Sequence, residues 1–252
     1  MSLIQDLVIA YRVLAEHGVI DAYGHVSVRS DRDSSRYLLA RHIAPEFVRE
    51  SDIIEYDLDS NPIDAGDRLS VRERYIHGEI FKSRPEVMCV VHNHSPSVIP
   101  FSTTREPLRP IFHMSAFVGQ GVPNFEIRDA QTGTDLLVKT PYLGAALAKT
   151  LGGHPAALMR GHGCVTVGET IARAVGRSIY LESNARMQLQ AMLIAGPGGK
   201  VDFMHDDEVA ASAPRQEYDR GWHLWRTRVL ARMALEDNAL LDEAGGPPPQ
   251  HF

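Results

Sequence analysis

The stretch Val87-Met88-Cys89-Val90-Val91-His92-Asn93-His94 decides the fold expected of this chain. Its first five residues form a short, continuous, β-prone apolar run, which predicts a strand buried on both faces. Side chains two apart on a strand point to the same side, so we expect His92 and His94 to face one point in space. Imidazole is a common ligand of transition metals, and the pair therefore predicts a metal site. Two partly exposed polar residues at a strand end are the alternative.

Two further segments supply candidate ligands. Gly161-His162-Gly163 lies between apolar runs at 156–159 and 164–167, and its glycines allow a sharp turn with close approach of other groups, which favours a ligand over a surface histidine. Glu73 and His77 are four residues apart on a predicted helix over 71–82, so they share one face. A solvated pair is the simpler interpretation. The alternative is that Glu73 acts as a fourth ligand or a proton shuttle.

The remaining periodicity predicts a mixture of helices and strands. Helices are expected over 2–17, 141–151, 170–195 and 215–235, and strands over 25–29, 37–40, 53–56, 156–159 and 164–167. No internal repeat or linker divides this mixture, so we expect one α/β domain over residues 1–240. The glycine- and proline-rich end predicts a flexible tail over 241–252.

Composition narrows the partners and the location. The formal net charge of -6 offers no electrostatic reason to bind nucleic acid or an anionic membrane. Cys89 and Cys164 are too few for a disulfide framework and are expected to be buried thiols. The first apolar stretch contains Asp6 and lacks a small-residue cleavage site, so no signal peptide is predicted, and no run is long enough to span a bilayer. We expect a cytoplasmic protein.

One combination of these motifs resembles a known family, the class II aldolases and adducins. It consists of Glu73-x3-His77-x6-Arg84-Pro85-x6-His92-Asn93-His94, followed further on by Gly161-His162-Gly163. The resemblance covers about residues 5–235. It implies a three-layer α/β/α sandwich around a mostly antiparallel central sheet, and a homotetramer with active sites at subunit interfaces. It also implies one divalent ion (Zn, Mn, Fe or Co) held by His92, His94 and His162, with Glu73 as acid/base group and possible fourth ligand.

Departures from the family pattern concern the substrate. Phosphate-handling members carry small hydroxyl and amide donors in three turns that here contain His25, Arg41 or His42, and Arg72. The planar fork of arginine fits a carboxylate through two hydrogen bonds, so we expect a small-molecule carboxylate rather than a sugar phosphate. For Arg72, an ordinary surface charge is the alternative. His113 lies in a loop whose family counterpart often reaches a neighbouring subunit's site, so it is a further candidate for substrate contact.

Several stretches resemble the decarboxylase-like branch of the family: 23–29, 125–129, 158–163 and 180–186. The resemblance implies a lyase that decarboxylates a hydroxy-aromatic or related acid. Loss of carbon dioxide would leave an enolate stabilised by the metal, and Glu73 or His77 would return a proton to carbon. Three alternatives remain open: an aldolase acting on a small hydroxy-keto substrate, a non-haem Fe(II) oxygenase, and a non-catalytic adducin-like interaction domain.

Overall fold

A computed structural model describes residues 2–245, with side chains over 2–236. The strands are β1 His25–Arg29, β2 Arg36–Ala40, β3 Ile53–Asp57, β4 Cys89–Asn93, β5 Asn124–Phe125, β6 Ala156–Met159 and β7 Gly163–Gly168. The helices are α1 Leu3–Glu16, α2 Arg74–Ser83, α3 Ile99–Thr103, α4 Pro141–Leu151, α5 Ile171–Ala195, α6 Asp206–Ser212 and α7 Asp219–Gly245. In the described part of the chain, no helix is both long and apolar enough to cross a bilayer.

The seven strands form one sheet in the order β3-β2-β1-β4-β7-β6-β5. The pairs are antiparallel except for β5 with β6, which is parallel. The predicted strand over 87–91 thus lies at the centre of the sheet, between β1 and β7. The mostly antiparallel sheet expected from the sequence is confirmed.

Helices cover both faces of the sheet. One apolar cluster joins Leu14 of α1, Val175 of α5 and Trp225 of α7 to the first face. The other joins Ile80 of α2 and Leu147 of α4 to the second face. The result is the predicted α/β/α arrangement, with the sheet as the middle layer.

The alternation of β4 decides which face carries the histidines. Cys89 and Val91 belong to the cluster under α1 and α5, whereas Val90 belongs to the cluster under α2 and α4. Because side chains alternate along a strand, His92 follows Val90 and points to the α2 side. The same rule places Ser27 of β1 on the α2 side, since Val26 and Val28 pack on the opposite one.

Several predicted boundaries were wrong by a few residues. The strand expected over 87–91 is Cys89–Asn93, because ladder pairing with β1 and β7 includes His92 and Asn93, whereas the Val87 N–H bonds to Arg84 in the preceding turn. The helix expected over 71–82 begins at Arg74, so Glu73 is its N-cap residue. Residues 241–245 of the expected tail belong to α7, and residues 246–252 lie outside the described residues.

Candidate metal centre

Four side chains converge where β4 ends beside β7. The ligand atoms of Glu73, His92, His94 and His162 all lie within 4.8 Å of one another. The Nε2 atoms of His94 and His162 are 3.2 Å apart. Glu73 Oε2 lies 3.6 Å from His162 Nε2 and 3.8 Å from His92 Nε2. Residues that are distant in sequence thus share a single centre.

Backbone carbonyls fix the orientation of two of the rings. His92 Nδ1 is 3.1 Å from the Cys164 carbonyl oxygen, and His162 Nδ1 is 3.0 Å from that of Leu136. A ring that donates its Nδ1–H to a carbonyl leaves the lone pair on Nε2, as in many histidines that ligate metals. His92 Nε2 is fully buried and has no hydrogen-bond partner in the described structure. A cation is the kind of group that would satisfy this orphaned acceptor.

Burial keeps the three imidazoles in the form that binds metals. Desolvation is the main cause that lowers the pKa of His92, His94 and His162 below the ordinary value. Each ring is therefore neutral near pH 7, with a lone pair available for a ligand bond. Three neutral nitrogens with one carboxylate are a donor set that fits Zn, Mn, Fe or Co.

Glu73 is held differently from a surface carboxylate. Its side chain is buried, and Oε1 accepts a hydrogen bond of 2.8 Å from the Val138 N–H. Burial raises the pKa of Glu73 to about 7, although the Val138 N–H and His94 oppose the shift. In the metal-free protein this carboxyl can therefore accept or give a proton near neutral pH.

The two glycines around His162 have different roles. Gly161 adopts a φ of 64°, a left-handed conformation that favours glycine. At Gly163 a Cβ atom would lie 2.1 Å from the Asn93 carbonyl oxygen, which is far inside van der Waals contact. The absence of a side chain at Gly163 therefore lets β7 approach β4 closely enough for His162 to reach His94.

A second group of polar residues lies behind the cluster on β1 and α2. His25 pairs directly with His92 across the β1–β4 ladder, and their rings are 4.9 Å apart. His25 Nδ1 is 2.6 Å from His77 Nε2, and His77 Nδ1 is 2.5 Å from Ser27 Oγ. His77 is fully buried, and burial lowers its pKa to about 3. Both ring nitrogens of His77 lie at hydrogen-bond distance from other side chains, so the structure shows no contact of this ring with the cavity, and proton transfer from His77 to substrate stays a prediction.

A cavity of about 740 Å³ opens in front of the cluster. His25, Arg72, Glu73 and His94 line it, as expected of groups that contact a substrate. Arg41 does not line it: its Nε atom lies 2.6 Å from Asp52 Oδ1, so the expected substrate contact of Arg41 has no support within this subunit.

His113 also lies apart from this cavity. It lines a separate one beside Tyr180 and Tyr218, and its backbone carbonyl accepts a bond from Gln216. Within the described chain it therefore has no contact with the histidine cluster, and the expected substrate contact is not supported in this subunit.

Comparison with known proteins decides the family. The family model described as Class II Aldolase and Adducin N-terminal domain matches residues 5–189, well over half of the chain. The chain belongs to the class II aldolase and adducin family. The resemblance inferred from the histidine and glutamate spacing is thereby confirmed.

Individual relatives of this class II aldolase-family chain narrow the branch. Decarboxylase tropJ of Talaromyces stipitatus is 35% identical over 239 residues, covering 86% of this chain and 90% of that protein. The 3,4-dihydroxyphthalate decarboxylase of Arthrobacter keyseri is 30% identical over 221 residues, covering 82% and 84%. The L-fuculose 1-phosphate aldolase from Glaciozyma antarctica PI12 shares the fold, with a TM-score of 0.76 and 24% identity over 93% of this chain and 90% of that one. The predicted decarboxylase-like branch, and with it the carbon–carbon lyase class, is confirmed.

The sequence left Arg41 and His42 as alternatives, and His42 is the one of the two that lines the cavity. One feature of this family site was missed in the sequence. Leu136 and Val138 contribute backbone groups that hold His162 and Glu73. Backbone contacts from a loop leave no side-chain signal, so no motif predicts them.

Proposed function

We propose that this chain is a divalent-metal-dependent decarboxylase of a hydroxy-aromatic or related carboxylic acid. The observation that carries the proposal is the convergence of three neutral imidazoles and one buried carboxylate on the wall of a cavity that also presents an arginine. The relatives named as decarboxylases support the same reaction class. His92, His94 and His162 would hold one divalent ion, with Glu73 beside it.

The cavity offers groups suited to each part of such a substrate. Arg72 lines it and forms no ion pair with any described residue, which leaves its guanidinium available for a substrate carboxylate. Ile43, Leu69 and Leu137 supply apolar surface on which a ring can pack. One arginine beside apolar walls suits an aromatic acid better than a sugar phosphate, because the several hydroxyl groups of a sugar would meet the apolar walls.

A bound divalent ion supplies a Lewis acid that stabilises negative charge as it develops on a substrate oxygen. Glu73, whose Oε2 lies beside the Nε2 atoms of His92 and His162, would give its proton to the ring carbon that carries the carboxylate, and the hydroxyl oxygen of the substrate would supply the electron pair for the new C–H bond. The carbon–carbon bond to the carboxylate would then break, carbon dioxide would leave, and the freed electron pair would restore the aromatic ring with the negative charge on that oxygen. Glu73 would regain a proton from solvent. Arg72 holds the acid in place while the bond breaks.

Assembly is part of the proposal. Leu193 and Ile194 near the end of α5 are 72% and 87% exposed, which is unusual for large apolar side chains that follow one another. We take them as support for the homotetramer with active sites at subunit interfaces that the family implies. Sedimentation equilibrium of the purified protein measures the assembly directly.

The reaction is tested by a screen of hydroxybenzoic, dihydroxyphthalic and related acids. Purified protein is stripped of metal, supplied with Zn²⁺, Mn²⁺, Fe²⁺ or Co²⁺, and monitored for released carbon dioxide. We expect metal-dependent release with at least one aromatic acid and none with His162→Ala. Cleavage of a hydroxy-keto substrate to an aldehyde without carbon dioxide would indicate an aldolase, and stoichiometric oxygen uptake with Fe²⁺ would indicate an oxygenase. Either result would reject the decarboxylase.

A further inference from the structure

Ser27, His77 and His25 form a continuous row from the inside of the sheet to the cavity. Ser27 and His77 are fully buried, and His25 is 6% exposed and lines the cavity. The two gaps between them, 2.5 Å and 2.6 Å, are hydrogen-bond distances. Since His25 Nδ1 is committed to His77, Nε2 is the ring nitrogen that His25 has left for the cavity.

Each gap can hold one proton, so the protonation of one residue dictates that of the next. Ser27 Oγ has no other hydrogen-bond partner among the described residues. If it accepted from His77, its own hydrogen would be buried without an acceptor, which is the costly arrangement. Ser27 therefore donates to His77 Nδ1. His77 then carries its proton on Nε2 and donates to His25 Nδ1.

This order leaves the one proton of neutral His25 on Nε2. A neutral ring is also the form compatible with the neighbouring cluster, because the His25 ring lies 4.9 Å from that of His92. A cation bound to His92 would disfavour a charged imidazolium on the neighbouring ring but would tolerate an N–H dipole. The row thus provides a fixed donor at a place where a charged donor would be disfavoured.

We propose that Ser27 and His77 are positioning residues that fix His25 as a neutral Nε2–H donor, which binds an anionic oxygen of the substrate. That oxygen belongs to the carboxylate or the phenolate of the acid inferred above, so this assignment rests on the proposed function. It gives His77 a role that its burial permits. It also predicts that the cavity discriminates in favour of substrates that present an acceptor, not a donor, to His25.

The tautomer is measured directly by long-range ¹H–¹⁵N NMR of metal-free protein labelled at histidine, with His25 assigned through loss of its signals in His25→Gln. We expect the ¹⁵N shifts of wild-type His25 to show a protonated Nε2 and an unprotonated Nδ1. In Ser27→Ala, which removes the first donor, we expect both His25 nitrogens to move to averaged shifts. Ser178→Ala, an equally buried hydroxyl on α5, is the matched control and should leave them unchanged. A protonated Nδ1 on wild-type His25, or an unchanged tautomer in Ser27→Ala, would overturn the proposal.

Recognition is measured by calorimetric titration of Zn²⁺-loaded protein with salicylate and with the uncharged salicylamide. Loss of one aligned hydrogen bond in Ser27→Ala should weaken salicylate binding roughly two- to tenfold while salicylamide changes less. Equal weakening for both probes, or none for salicylate, would reject the role in anion binding. The NMR result needs neither metal nor substrate, so it stands even if the chain proves not to be a decarboxylase. An active decarboxylase with the wrong His25 tautomer would reject the positioning role of Ser27 and His77 and leave the proposed function intact.

Discussion

Replacing Glu73 by glutamine should make the metal-free protein more stable and the loaded protein nearly inactive. Glutamine has the same size, and its carbonyl oxygen can still accept the 2.8 Å bond from the Val138 N–H. The substitution therefore removes the charge and the exchangeable carboxyl proton while keeping the contact that holds the side chain. Stability and turnover are expected to move in opposite directions.

The size of the stability effect follows from the pKa of Glu73. Burial raises it from the ordinary value of 4.5 to about 7, so the folded chain holds this proton more tightly than the unfolded chain does. The resulting stabilisation is fully present below pH 4.5 and is lost as the pH rises through about 7. At about 1.4 kcal/mol per pKa unit, the ionised carboxylate costs about 3 kcal/mol near pH 8. Glutamine avoids this cost, which corresponds to a rise in Tm of roughly 6–12 °C for a chain of this size.

The assay compares thermal unfolding of wild type and Glu73→Gln, both free of metal, at pH 5 and pH 8. We expect similar Tm values at pH 5, a higher Tm for the variant at pH 8, and turnover with added metal reduced by about 10²–10⁴. Glu182→Gln is the matched control, because Glu182 is also buried and accepts a hydrogen bond from the Ser97 N–H, but lies outside the cavity. The turnover of the Glu182→Gln variant should equal that of wild type. A Tm difference that does not grow with pH would refute the burial argument, and retained turnover in Glu73→Gln would remove its proton-transfer role.

Three further substitutions test separate parts of the site. His162→Ala should abolish bound metal, measured by elemental analysis after dialysis, and a variant that keeps one ion per chain would exclude this ligand. Arg72→Ala should raise KM for a carboxylate substrate about 10- to 100-fold with little change in kcat, because a charge-assisted hydrogen bond is lost. The guanidinium of Arg41 already bonds to Asp52, so Arg41→Ala should leave KM unchanged. Equal changes in KM for Arg72→Ala and Arg41→Ala would reject the proposed contact between Arg72 and the substrate carboxylate. Gly163→Ala places a Cβ atom 2.1 Å from a backbone oxygen and should destabilise the fold by about 3 kcal/mol. Gly153→Ala is the control, because its Cβ atom meets nothing within 4 Å. Equal Tm values for the two variants would contradict the packing argument.

The histidines were predictable because strand alternation is local. The apolar run ending at Val91 indicated a buried strand, and alternation then put His92 on one definite face. The sequence could not show which helices cover that face of the sheet, because the strand order β1-β4-β7 depends on long-range pairing. The meeting of His162 with His94 results from that pairing, in which Asn93 lies opposite Cys164.

The differences between the expected and the observed positions of site residues have equally specific causes. Arg41 and His42 follow the last residue of β2, and a displacement of one residue exchanges the side that a side chain faces. Helical spacing placed Glu73 and His77 on one face, but α2 begins only at Arg74, and the spacing gave no information on which of the two side chains meets the sheet. His77 turned inward because α2 packs over β1, a contact between segments fifty residues apart that no local pattern records.

The central claim is that three imidazoles hold one divalent ion. Anomalous diffraction at the zinc edge from crystals grown with Zn²⁺ tests it without assuming any substrate. We expect one strong peak per chain, about 2.0–2.1 Å from the Nε2 atoms of His92, His94 and His162. Zinc bound elsewhere, with the three rings turned away from a common centre, would contradict the account.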